Sequence, residues 1–258
     1  MLSLNQTLSL PGLKHIGFLP SNISNLDLWL RENYKMTADE DSSDDPLSPV
    51  HSTDAGTMED GDRINFWGDQ SGNANNAVQT TNADKPSWST DQLGSINNAA
   101  GNFMDLTSTV TISANTNFSI VFRVNFGATN ARAFMGNDSS NFFRLNDAST
   151  FRVRIGNTAS NNFTEASDTI STGTFYTVIL SRSNGATGDL RLYVDGGSYS
   201  DKTWGSTTNT DNDAFTITNI CAAADDTNTM NGFVSDVLIY NGTVLTTAQR
   251  STIYNYLS

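Results

Sequence analysis

The nine residues FSIVFRVNF at Phe118–Phe126 constrain the fold most. Large apolar side chains fall at every second position, Phe118, Ile120, Phe122, Val124 and Phe126. Ser119, Val121, Arg123 and Asn125 occupy the alternate ones. A period of two belongs to a strand with one face in a core, because successive side chains point to opposite sides of the pleat. ARAFMG, NFFRLND and FRVRIGN follow at short intervals, each closed by Gly, Asn or Asp. In FRVRIG the pattern turns Phe151, Val153 and Ile155 inward and both arginines outward. Four longer runs complete the set: FYTVILSRS (Phe175–Ser183), LRLYVDG (Leu190–Gly196), DAFTITNICAAA and NGFVSDVLIYNG. LDLWL at Leu26–Leu30 reads as a first strand.

Only the end of the chain has a helical signature. In TTAQRSTIYNYL, Thr246 can cap the helix and Gln249 completes a capping box, with Ile253, Tyr254 and Leu257 on one face. Many short strands with regular turn signals and one closing helix predict an all-β fold. Its form is a two-sheet antiparallel β-sandwich of jelly-roll type with a short C-terminal helix.

The 258 residues suit one large all-β domain or two small ones. The chain is polar, with 37% hydrophobic residues, but its 14 Phe are enough for a thin core between two sheets. With 14 Lys and Arg against 27 Asp and Glu the net charge is −13, which argues against nucleic acid and against an anionic membrane surface as partners. The single cysteine, Cys221, allows no intrachain disulfide and reads as a core residue. Met1–Pro20 lacks a basic start and a continuous apolar run, so no secretion signal is expected, and no apolar stretch approaches the ~20 residues that span a bilayer. Synthesis and folding in a reducing cytosol are the expectation.

Residues 1–25, with Pro11 and Pro20, read as an extended docking or assembly arm in which His15 and Phe18 are the anchors. Residues 26–258 form the domain. Within it, ADEDSSDDPLSPVHSTDAGTMEDGD at 38–62 is an acidic surface loop. Asp39, Asp41, Ser43 and Asp45 have the alternation of a calcium loop. Asp44 stands where the loop needs glycine, however, and Val50 where it needs a bidentate Glu, so this is no EF-hand; a solvated loop is expected, with weak cation binding as the alternative.

Four pieces in order resemble laminin-G-like jelly-roll domains of the concanavalin A-like lectin/glucanase superfamily. They are LDLWL; DGDRINFWGDQSGNANNAVQ with KPSW, at Asp60–Trp88; FYTVILSRSNGATGDLRLYVDG; and MNGFVSDVLIYNGTVLTTAQRSTIYNYL at Met230–Leu257. Trp67–Asn73 carries the W-x-D-x-SG-N element, with Asp69 in the family's aspartate position. The arm and the acidic insert depart from the pattern.

The resemblance implies that Asp69, Ser71 and Asn73 form a structural turn, with a calcium or ligand site at Asp69 as the alternative. Asp225 and Asp226 make a loop-end cation site or a solvated turn. Trp88, Tyr199 and Trp204 make sugar platforms or rim aromatics. Calcium is the one cofactor this admits; none is required. Hydrolytic relatives carry E-x-D-x-x-E, whereas the four glutamates here, Glu32, Glu40, Glu59 and Glu165, lie in no such motif. With only His15 and His51, no Ser–His–Asp set is in view and no catalytic residue is assigned. The expected function is a non-catalytic structural protein of a tailed-bacteriophage virion, a head decoration or a fibre or spike subunit. It would be made in the host cytoplasm, contact other virion proteins or copies of itself, and display a lectin-like domain to host-surface glycans. The alternatives are a bacterial carbohydrate-binding or adhesion module and, behind it, a glycoside hydrolase or lyase.

Overall fold

The Phe118–Phe126 run forms a long central strand, and the sandwich is built outward from it. The computed structural model describes residues 18–32, 34–39, 50–51, 60–89, 95–99, 101–156, 160–165, 168–184, 188–196, 203–223 and 228–258. Numbered along the chain, the strands of the first sheet are β1 (Leu26–Arg31), β9 (Phe118–Phe126), β14 (Phe175–Ser183), β15 (Asp189–Gly196), β16 (Thr203–Thr210) and β18 (Gly232–Asn241). They lie in the order β1-β18-β9-β14-β15-β16.

The second sheet contains β5 (Ala77–Val78), β8 (Met104–Ile112), β10 (Arg132–Asp138), β11 (Asn141–Asp147), β12 (Thr150–Arg154), β13 (Asn161–Thr164) and β17 (Phe215–Ile220), ordered β5-β8-β17-β10-β11-β12-β13. At its β5 edge come β4 (Arg63–Trp67), β2 (Met36–Asp39) and β3 (Val50–His51). Two short strands, β6 (Ser87–Ser89) and β7 (Ser95–Asn98), lead from β4 back to β18 and link the sheets along one side. Every pairing is antiparallel.

Between the sheets the aromatic rings interlock. Phe134 on β10 lies 4.9 Å from Phe122, 5.7 Å from Phe126, 4.6 Å from Phe143 and 5.9 Å from Phe151, centroid to centroid. Tilted, edge-on and stacked ring pairs at these separations add attraction beyond simple burial.

The outer face of β9 differs from expectation. Ser119, Val121 and Asn125 are buried like the inner residues. The cause is the closing helix, α1 (Thr247–Leu257), which lies across the first sheet. Val121, Ile179, Leu238 and Tyr240 of the sheet pack with Leu245, Ile253, Tyr256 and Leu257 in a second apolar cluster. The capping box forms: the Gln249 amide donates to Thr246 Oγ1 at 3.3 Å and the Thr246 amide donates to Gln249 Oε1 at 2.9 Å. Thr246→Ala is therefore expected to cost about 1 kcal/mol. Urea unfolding checks this, with Thr246→Asp near wild type because its carboxylate can replace the cap.

The same cluster claims part of the predicted arm. Phe18 stacks edge-on with Tyr256 at 6.1 Å, Ile23 is buried, and the Tyr240 hydroxyl donates to the Pro20 carbonyl at 3.2 Å. Residues 18–25 thus belong to the domain, because their apolar side chains complete the cover of the helix. His15 lies outside the described residues. The acidic insert also differs from a plain loop. Val50 and His51 pair with Ala38 and Thr37, so the insert departs from and returns to a β-hairpin base. No described helix is long and apolar enough to cross a membrane.

Candidate functional site

The WGDQSGN turn is a clamp. Trp67 closes β4 with its ring in the core, and its indole Nε1 donates to the Arg31 carbonyl at 2.7 Å. The buried Asp69 carboxylate accepts four hydrogen bonds. Oδ1 takes the amides of Trp29 (2.9 Å) and Ser71 (2.8 Å); Oδ2 takes the Ser71 hydroxyl (2.7 Å) and the Asn75 amide (3.0 Å). Asn73 and Asn75 donate from their side-chain amides to the Asp27 carbonyl at 3.2 and 2.9 Å, and Asn76 accepts the Asp69 amide at 2.9 Å. Gly72 supplies the φ of +96° that the turn needs. A carboxylate offers about four acceptor positions, and protein donors fill all of them. Asp69 therefore holds β1 against β4 as the structural reading of the turn expects.

Two of the other residues singled out in the sequence, Trp88 and Trp204, lie among the described residues. Trp88 is half-buried on β6 and packs against the core edge. Trp204, expected as a surface platform, is buried, 4.9 Å edge-on from Phe151. Its pairing opposite Leu192 turns it into the sandwich, so it has no face to offer a sugar. Tyr199, Asp225 and Asp226 lie outside the described residues. Among the described residues no group of three or more His, Cys, Asp or Glu is placed to hold a metal. Cys221 is buried, as a core residue would be.

Two rows of polar side chains lie on the outer faces of the sheets, the helix-side one largely buried. On the helix side, strand register aligns Arg31, Asp236, Arg123, Thr177 and Asp195 in one row across β1, β18, β9, β14 and β15. Here charges compensate. Burial pulls the Arg123 guanidinium below its ordinary value, while Tyr254, Asp236 and Glu32 oppose that shift.

On the second sheet they do not compensate. Register places Arg144 on β11 directly opposite Arg152 on β12, and Arg154 opposite Phe142. The guanidinium carbons of Arg144 and Arg154 lie 5.0 and 5.5 Å from the Phe142 ring centroid. Asn146 accepts from Arg144 at 3.0 Å, Asn162 from Arg152 at 3.0 Å and Ser160 from Arg154 at 3.1 Å, all of them neutral acceptors. Burial lowers the Arg144 guanidinium from its ordinary value, and the positive charges of Arg152 and Arg154 lower it further; no acid opposes them. Its Nε–H is buried without a hydrogen-bond partner. The outward parity of Arg152 and Arg154 was visible in FRVRIG. That Arg144 joins them depends on the β11–β12 register, which a single run does not reveal.

A two-sheet antiparallel jelly roll with an aspartate-clamped corner and a helix across one sheet defines the lectin-like sandwich class. The family model described as the concanavalin A-like lectin/glucanases superfamily, of laminin-G type, matches residues 98–249. That is more than half of the chain, and the chain belongs to this family. Among curated proteins none matches the sequence. Several solved structures are similar to the chain. A GH54 α-L-arabinofuranosidase soaked with a cyclic sulfate inhibitor is 15% identical over 93% of this chain and 60% of its own, with a TM-score of 0.56. Domain 4 of the GH43 extracellular arabinanase AbnA from Geobacillus stearothermophilus, in complex with arabinotriose, is 13% identical over 90% of this chain and 98% of its own (TM-score 0.49). A Trypanosoma rangeli sialidase is 13% identical over 92% of this chain and 33% of its own (TM-score 0.48). At 15% identity the likeness to the arabinofuranosidase is one of fold, and the chain spans 60% of that protein's length.

Proposed function

We propose that this chain is a non-catalytic saccharide-binding display domain. The observation that carries the reading is the outer face of β11–β13. There the guanidinium groups of Arg144, Arg152 and Arg154 stand beside the side-chain amides of Asn146 and Asn162. Guanidinium and amide groups together supply the donors and acceptors that fix ring hydroxyls, and a sheet holds them more rigidly than a loop would. Asp69, the aspartate of the family motif, is taken up by the scaffold and offers no acid for glycoside cleavage.

A polysaccharide panel tests this in two readouts. Retardation in affinity gels is expected for at least one polymer, with no release of reducing ends from any. Turnover that disappears on changing one Asp would overturn the non-catalytic assignment. The setting we propose is the virion of a tailed bacteriophage, as a head decoration or a fibre or spike subunit. A net charge of −13, which keeps crowded copies soluble, supports it. Mass spectrometry of purified particles should find the chain at stoichiometric levels. Its presence instead on a bacterial surface would replace this setting with that of an adhesion module.

A further inference from the structure

From the uncompensated arginines, and resting on the saccharide-binding reading above, we infer that the β11–β13 face recognises an anionic saccharide whose carboxylate or sulfate groups sit between Arg144 and Arg152. Like charges directly opposite on neighbouring strands repel, and a fold with no use for the pair would pay for it without return. In this chain the pair is conspicuous because acids outnumber bases 27 to 14, yet the charges that act on Arg144 are those of Arg152 and Arg154. The contrast with the helix side is direct: Arg123 has Asp236 and Glu32 beside it, and Arg144 has two arginines.

The groups are also held in position. Phe142, itself buried, lies under two of the guanidinium groups, and the Asn146, Asn162 and Ser160 side chains fix one edge of each. Planar guanidinium groups bind planar carboxylates through paired N–H donors, and less entropy is lost when the fork is already oriented. The overall negative charge does not prevent this. At physiological ionic strength the screening length is about 8 Å, so the local patch rather than the whole molecule meets the ligand.

The test is calorimetric titration of the full chain with polygalacturonate (carboxylate), dextran sulfate (sulfate), dextran (neutral) and polyglutamate (a non-sugar polyanion). Each is repeated with Arg144→Gln/Arg152→Gln. Binding of polygalacturonate or dextran sulfate is expected, weakening with salt and falling at least about tenfold in the double variant; the preferred polymer identifies the anionic group. Circular dichroism should stay at its wild-type form and the unfolding midpoint should not fall, since the variant relieves the repulsion. Should the double variant not fold, Arg152→Gln alone serves, because a glutamine amide can renew the bond to Asn162. Binding of dextran alone overturns this inference and leaves the saccharide reading standing. Binding of no sugar removes both. Equal binding of polyglutamate overturns the assignment to saccharides, and anionic binding unchanged in the variants overturns the site.

Discussion

Asp69→Ala is expected to destabilise the protein by about 4 kcal/mol, a large share of the 5–15 kcal/mol that holds a typical domain together. The carboxylate accepts four bonds, and three of its donors are backbone amides, of Trp29, Ser71 and Asn75. Removing it leaves those amides without their acceptor beside a buried site. A lost hydrogen bond to a charged group costs about 1.5–3 kcal/mol, and water entering the corner recovers part of that. The Trp29 contact matters most, because it spans 40 residues of sequence and joins the first strand to the turn. Asp69→Asn is expected to fall about halfway, since its single carbonyl oxygen can retain the Oδ1 pair but its NH2 group meets a donor where Oδ2 accepted. Urea unfolding with circular dichroism detection gives both numbers. A change under about 1 kcal/mol for the alanine variant would show that the turn stands without its carboxylate.

This corner also shows how much could be read before the fold was known. The turn itself was legible: Asp, Ser, Gly and Asn in that order bond their own backbone. Its partner was not, because nothing local points from Asp69 to Trp29. The same divide runs through the whole chain. Side-chain parity is a local property, and it correctly turned Phe118, Phe122, Phe151 and Val153 inward. Register is not local. Trp204 sits among Thr and Gly and resembles a rim aromatic in sequence, yet pairing with Leu192 carries it into the core. Arg144 and Arg152 become neighbours only through the β11–β12 pairing. The seat of α1 had a trace in the sequence that parity alone obscured. Val121 and Ile179 are apolar at outward positions, and a strand with large apolar residues on both faces is covered on both.

Arg182 is the clearest case of a residue whose role parity misstates, and Arg182→Met should cost nearly as much as the loss of Asp69, about 3 kcal/mol. It follows Val178 and Leu180 on the inward face of β14, where a cation is out of place, and it is fully buried. The fold accommodates it by extending its head to one end of the sandwich. There the guanidinium donates to the carbonyls of Ser113 at 2.8 Å, Thr116 at 2.9 Å and Asp213 at 2.5 Å, and it lies 5.0 Å from the Phe118 ring centroid. Two connections, β8 to β9 and β16 to β17, are thereby tied to one strand. Burial lowers the guanidinium from its ordinary value and Asp211 and Asp213 oppose this, so the group keeps its charge. Methionine preserves most of the stem's packing but abandons three charge-assisted bonds. Because Ser113 and Asp213 are exposed, water recovers part of the loss, which holds the figure near 3 rather than at the sum of three bonds. Arg182→Lys keeps the charge yet cannot span three diverging carbonyls, and about 2 kcal/mol is expected. Equal stability of wild type and the methionine variant in urea would mean that the two loops hold themselves. Hydrogen exchange at the Asn115 amide, which donates to the Asn212 carbonyl at 2.9 Å between those loops, then discriminates directly: it should quicken in both variants if Arg182 is the tie.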